Sequence, residues 1–205
     1  MQWSPLIVTM AVLFLVVSVA CGGESKPTPS PTATFAPSPI ASPEVADFDS
    51  LPEVPDLEGL GTVAWPNNFQ ESSDLFERLP SEIAGHRIKA RFEQSKLGAF
   101  STTYGEDPET PNTVMGVTVH DLTKGAFFPT DANAGQFVAL YAGGADWEVL
   151  AAGREGDLAW VQWKTGDIYA MHWGNAPSSI VFQAMANDLS VLMALVEAMV
   201  SAASG

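Results

Sequence analysis

Residues 6–20 read LIVTMAVLFLVVSVA, fifteen positions without a charge. No apolar period follows until about residue 59. From there short alternating runs take over. In 87–92, Ile88, Ala90 and Phe92 alternate with Arg87, Lys89 and Arg91, the spacing of a half-buried strand. Its basic side suits an edge that discourages strand-to-strand pairing, or else an anion strip or a dock for acidic chain. Residues 99–104 and 113–122 predict further strands, parted by the acidic turn 105–111; Met115, Val117 and Val119 alternate with Thr118 and His120.

After Trp147 the pattern predicts a meander: 148–153, 158–164, 168–173 and 179–186. A two-residue turn at Thr165-Gly166 would set Trp163 opposite Ile168 and Trp160 opposite Met171. One face then carries Leu158, Trp160, Tyr169, Met171 and Trp173, the other Ala159, Val161, Trp163, Ile168, Ala170 and His172. Both faces are apolar, so both call for cover.

Helical spacing occurs in three places. Residues 73–79 predict a short helix capped by Ser73 and stopped by Pro80. A second runs from an Asp131 cap through Phe137, Leu140 and Tyr141 to Gly143 and Gly144. The third, capped by Asn187 or Asp188, runs from 189 to about 203, with Leu192, Met193, Val196, Met199 and Val200 on its stripe. It falls short of the ~20 residues that span a bilayer. The fold expected is α+β: a mostly antiparallel sheet of about six or seven strands, backed by the C-terminal helix and one or two shorter ones.

Composition sets the size of the problem. The 205 residues are 46% hydrophobic with net charge −15, apolar enough for a globular domain and too acidic to favour phosphate backbones. Nucleic acid is not an expected partner. The one cysteine, Cys21, forms no internal disulfide.

Cys21 stands at the end of the first apolar run, which has the length of a secretory h-region rather than of a spanning helix. Ser18-Val19-Ala20-Cys21 resembles the lipobox of bacterial lipoprotein precursors, although Ser18 takes the usual leucine position and 1–5 carry no Lys or Arg. The resemblance covers only about the first 22 residues. It implies a signal peptide over 1–20, a diacylglyceryl group on the Cys21 sulfur, and attachment of an extracytoplasmic protein to the cell membrane. Two acyl chains hold durably where one holds marginally.

From Gly22 onward Pro27, Pro29, Pro31, Pro37, Pro39 and Pro43 alternate with Ser, Thr and Ala, a semi-rigid stalk that reaches at most about 90 Å at ~3.1 Å per residue. Its end is acidic, with Glu44, Asp47, Asp49, Glu53, Asp56 and Glu58, a run that solvation explains. The expected organisation is a signal peptide over 1–20, a lipidated tether over 21–58 and one domain over 59–205.

Candidate chemistry is sparse. The chain has no Gly-x-Ser-x-Gly elbow, no Ser-x-x-Lys and no glycine-rich phosphate loop, so no catalytic residue, cofactor or metal is assigned. The three histidines, His86, His120 and His172, lack ligand spacing. Strand alternation sends His120 and Asp121 to opposite faces, and likewise Met171 and His172. The cluster Trp160, Tyr169, Met171 and Trp173 offers large adaptable apolar surface, suited to an apolar ligand, a partner or a core. In outline, antiparallel strands ending in one apolar helix are similar to PsbP-like accessory lipoprotein domains. The expected function is a lipid-anchored, non-enzymatic binding or accessory protein for an envelope complex or apolar ligand. The alternative is an envelope enzyme or metal protein using His120 or His172.

Overall fold

The computed structural model describes residues 47–55, 57–105, 115–126, 128, 131–144 and 146–204. The apolar leader, Cys21, the proline stalk up to residue 46 and most of the acidic turn 105–111 lie outside them. One compact unit spans Val45–Gly205. Every residue of its three apolar clusters lies between Phe48 and Ala203, so the unit carries its own core and the information to fold by itself.

The fold is α+β. Eight strands form one antiparallel sheet: β1 (Glu82–Ile83), β2 (His86–Gln94), β3 (Ala99–Tyr104), β4 (Met115–Asp121), β5 (Glu148–Glu155), β6 (Leu158–Thr165), β7 (Ile168–Asn175) and β8 (Ile180–Ala186). Their order is β1-β2-β3-β4-β8-β7-β6-β5. Two four-strand meanders thus meet where β4 pairs with β8. The two-residue β1 brings the count above the six or seven expected; it is too short to show a period.

Three helices cover the sheet. In α1 (Phe69–Glu77), Asn68 caps the N-terminus by accepting the Glu71 N–H at 3.0 Å, while the Glu71 carboxylate accepts the Asn67 N–H at 2.9 Å. The reciprocal pair starts the helix five residues before the expected Ser73 cap. Asn133 caps α2 (Ala134–Ala142) through the Gln136 N–H, in place of the expected Asp131. Asp188 caps α3 (Leu189–Ser204), accepting the N–H groups of Ser190 and Val191. Leu192, Leu195, Val196, Met199 and Ala202 form its buried stripe, on the order of 2 kcal/mol for each large side chain.

α3 and α1 lie on one face of the sheet, over a core that includes Met171, Trp173, Phe182 and Leu192. α2 lies on the other, against Ala159, Val161, Trp163 and Ala170. Both faces of the second meander are therefore covered.

Two registers depart from expectation. The β6–β7 turn is Gly166-Asp167, with Gly166 at φ +56°, a first turn position that favours glycine. Trp163 therefore faces Ala170 and Trp160 faces Trp173. A slip of two residues changes every partner but leaves each side chain on its face. In β2 the register shifts between Ile88 and Ala90, so Lys89 is the extra residue of a bulge. Ile88 packs against the core under α3, whereas Ala90 and Phe92 fall on the opposite face and are exposed. The shared face expected for these three residues is broken there.

The described residues of the acidic chain ahead of the domain meet β5 and not β2. They strap the other edge: Glu53 forms a parallel bridge with Arg154 of β5. The Val54 N–H donates to the Arg154 carbonyl at 3.1 Å, and the Arg154 N–H to the Pro52 carbonyl at 2.9 Å. Phe48 lies under the Arg154 guanidinium and Leu51 is buried. Packed chain thus begins ahead of residue 59, where composition places the domain start.

Candidate functional site

Trp160 and Trp173 are register partners across β6 and β7, only 4% and 0% exposed. Met171 lies one row along, opposite Gln162, and is fully buried. Tyr169 lies one row further, opposite Lys164, whose ammonium sits 4.8 Å from the ring centroid; it is half-buried. Three of the four residues singled out in sequence therefore belong to the interior, with Tyr169 at its margin. They line the protein's own core rather than an open groove.

The cover over this layer changes along the sheet. α3 packs on β4, β7 and β8. Beside α3 the cover is irregular chain running from the strap to α1, with Val54 over β5 and β6 and Trp65 over β7 and β8. Leu60 and Trp65 are buried in the same cluster, with Val54, Leu57 and Val63 packed against it. Trp65 meets Trp173 edge-on at 6.0 Å and Phe182 at 4.8 Å. Val54 fills the space over Gly153: a Cβ there would stand 2.0 Å from Val54 Cγ2 and 3.1 Å from the Trp160 ring.

The indole donors divide into two groups. Trp65 donates to the Leu60 carbonyl at 3.0 Å, Trp147 to the Tyr141 carbonyl at 2.7 Å, and Trp163 to His172 Nδ1 at 3.0 Å. The N–H groups of Trp160 and Trp173 are enclosed with no acceptor among the described residues. An enclosed donor left unpaired costs about 1–3 kcal/mol, and here two occur on facing residues.

At the adjoining end of the sheet a cleft of about 810 Å³ opens, its walls including Asn67, Asp131, Asn133, Glu155, Asp157 and Asn175. Leu158 also lines it. Leu158 and Asn175 are register partners, two residues outward from Trp160 and Trp173 on the same strands. The cleft therefore ends one layer of side chains from the unpaired indoles. Its walls offer amides and carboxylates to solvent, and its floor approaches the core.

The histidines occupy the opposite face. Gln183 of β8 brings His120 and His172 together: its Oε1 lies 3.2 Å from His120 Nε2, and its register partner on β7 is His172. His172 Nδ1 accepts from Trp163, so the neutral ring carries its proton on Nε2. His120 donates from Nε2, leaving Nδ1 an enclosed acceptor with no partner among the described residues. The rings of Tyr141 and Phe137 pack on His172 at 4.2 and 5.4 Å. Burial lowers the pKa of both histidines; the charge of His120 adds to the effect on His172, while the Gln183 hydrogen bond opposes it at His120. Burial pushes the Tyr141 hydroxyl up. Both histidines are thus neutral at pH 7. Among the described residues no three His, Cys, Asp or Glu side chains are grouped to hold a metal. His86 lies apart on β2.

Sequence reasoning passed over Gln183, though a lone amide within IVFQAMA signals a polar partner on a covered face. It also passed over the cleft, whose residues come from separate loops and share no spacing. Compared with family models, curated proteins and solved structures, the chain matches none.

Proposed function

We propose that this is a lipid-anchored, extracytoplasmic binding or accessory protein, non-enzymatic, that holds an apolar ligand. One observation carries the binding reading: the Trp160–Trp173 pair is covered in part by irregular chain, Val54 and Trp65, rather than by a helix alone, and it borders an open cleft. Loops of this kind open at lower cost than packed helices. The anchoring reading rests on the Ser18–Cys21 pattern and on the chain order, in which the strap follows directly on the stalk. No helix among the described residues is long and apolar enough to cross a membrane.

A dye that fluoresces in apolar surroundings, added to the unit 45–205, tests the binding reading. Saturable fluorescence, displaced by an acyl compound, supports it, and a flat response overturns it. Acyl labelling tests the anchor: Cys21→Ser abolishes label and leaves an uncleaved precursor, whereas persistent label refutes the lipobox.

The second reading, an enzyme or metal protein using His120 or His172, rests on the enclosed and unpartnered Nδ1 of His120. Metal analysis of protein purified without chelator checks it. Stoichiometric zinc or copper, lost in His120→Ala, would favour it over the first.

A further inference from the structure

We propose that Trp160 and Trp173 form the floor of a binding site for a neutral acyl ester of the monoacylglycerol class, entered from the cleft when the chain between Leu57 and Trp65 lifts. This rests on the binding reading above and assigns its ligand chemistry.

Three features select that class. The first is a donor pair in an apolar layer. Trp160 and Trp173 stand opposite one another, both enclosed, both with indole N–H groups that no described acceptor meets. The neighbours shown beside them, Leu158 and Met171 in the adjacent rows of the same strands and Trp65 and Phe182 against Trp173, bring apolar surface and no side-chain oxygen. A guest that is apolar along its length and carries a carbonyl acceptor satisfies both the surface and the donors. A plain hydrocarbon satisfies only the surface.

The second feature is the charge of the approach. Asp131, Glu155 and Asp157 line the cleft with Asn67, Asn133 and Asn175, and the whole chain carries net charge −15. A carboxylate head entering there meets like charge, whereas glycerol hydroxyls meet amide and carboxylate acceptors. A neutral polyol head is therefore preferred over a fatty-acid anion on the same chain.

The third is the route. Gly61 and Asn67 line the cleft, and Leu60 and Trp65, their near neighbours in sequence, cover the indole layer. A displacement that opens the layer therefore opens it into the cleft. Within the cover run a 3₁₀ turn over Leu60–Thr62 and the bond from Trp65 to Leu60, and its apolar side chains join the cluster beneath. It is not stitched into the sheet by strand pairing between Leu57 and Trp65.

The test measures affinity of the unit 45–205 for 1-monodecanoylglycerol and for decanoate at pH 8, by tryptophan fluorescence. The ester is expected to bind at least tenfold more tightly than the anion. Glu155→Gln with Asp157→Asn, at the exposed β5–β6 hairpin end, narrows that gap severalfold chiefly by strengthening decanoate, because the new amides still offer acceptors to the glycerol hydroxyls. Trp160→Phe and Trp173→Phe each weaken the ester about tenfold and leave the apolar dye bound. Equal binding of ester and anion, or an ester affinity untouched by both tryptophan variants, overturns this assignment while leaving the binding reading standing. Failure of the dye and of both acyl compounds overturns the two together.

Discussion

The Trp163 indole N–H donates a hydrogen bond to Nδ1 of His172 at 3.0 Å, and this bond fixes the tautomer of a histidine that is only 1% exposed. A ring held neutral in this way resists protonation. His172 lies well below its ordinary pKa through burial and through the neighbouring His120, which is itself lowered by burial. In the unfolded chain both titrate at about 6.5. Below that value the unfolded state binds protons that the folded state refuses, so stability present at pH 7 and above is lost as pH falls through the unfolded pKa toward the folded one. The midpoint of urea unfolding should be flat from pH 8 to 7 and then decline toward pH 5. His172→Gln, which keeps an acceptor for Trp163 and cannot charge, should shallow that decline. An equally steep decline in the variant would remove the histidine from the explanation.

Trp163→Phe leaves His172 Nδ1 enclosed without a donor. The loss should be about 1–3 kcal/mol for the orphaned acceptor. A second effect separates this from simple packing: with Nδ1 freed, the tautomer preference relaxes, visible in the ¹⁵N shifts of the His172 ring. Loss of stability with unchanged ring shifts would mean that the bond does not set the tautomer.

Gly153 is where the strap seats on the sheet. A Cβ at that position would come within 2.0 Å of Val54 Cγ2, so Gly153→Ala should cost about 1–3 kcal/mol through overpacking. Adding Val54→Ala should return part of it, because the methyl that collides is gone. Thermal unfolding of the two variants measures the coupling. Purely additive effects would show that the strap does not sit on Gly153.

Gly98 makes a comparable demand by backbone rather than by packing. It ends a 3₁₀ turn at φ +59°, and a Cβ there would lie 2.4 Å from the Asp121 carbonyl oxygen. Gly98→Ala should therefore destabilise by more than 1 kcal/mol, read as a lowered urea midpoint. A neutral result would place the β3–β4 end differently.

What the sequence disclosed and what it withheld have physical causes. The α+β class and the two faces of β6 and β7 followed from period-two alternation, which survives a register slip of two. Partners across those strands did not, because Thr165-Gly166 and Gly166-Asp167 both make acceptable two-residue turns. Lys89 reverses the sides of β2 with one extra residue, and a bulge leaves no mark on hydropathy. Asn68 and Asn133 were passed over for Ser73 and Asp131, since several polar residues precede each helix and only geometry picks the cap. Trp160, Met171 and Trp173 could be placed on one face from spacing alone. That Trp160 and Trp173 lack acceptors among the described residues, while Trp65, Trp147 and Trp163 have them, depends on backbone carbonyls and a histidine that no local pattern shows. The strap and the cleft are made of irregular chain and so carry no period.

The most direct measurement is a ¹⁵N-indole spectrum of the unit 45–205 during titration with 1-monodecanoylglycerol. The N–H signals of Trp160 and Trp173 should move downfield as they gain an acceptor, while those of Trp147 and Trp163, already bonded to Tyr141 and His172, hold their positions. Saturating ester that leaves the Trp160 and Trp173 signals where they began would contradict the account.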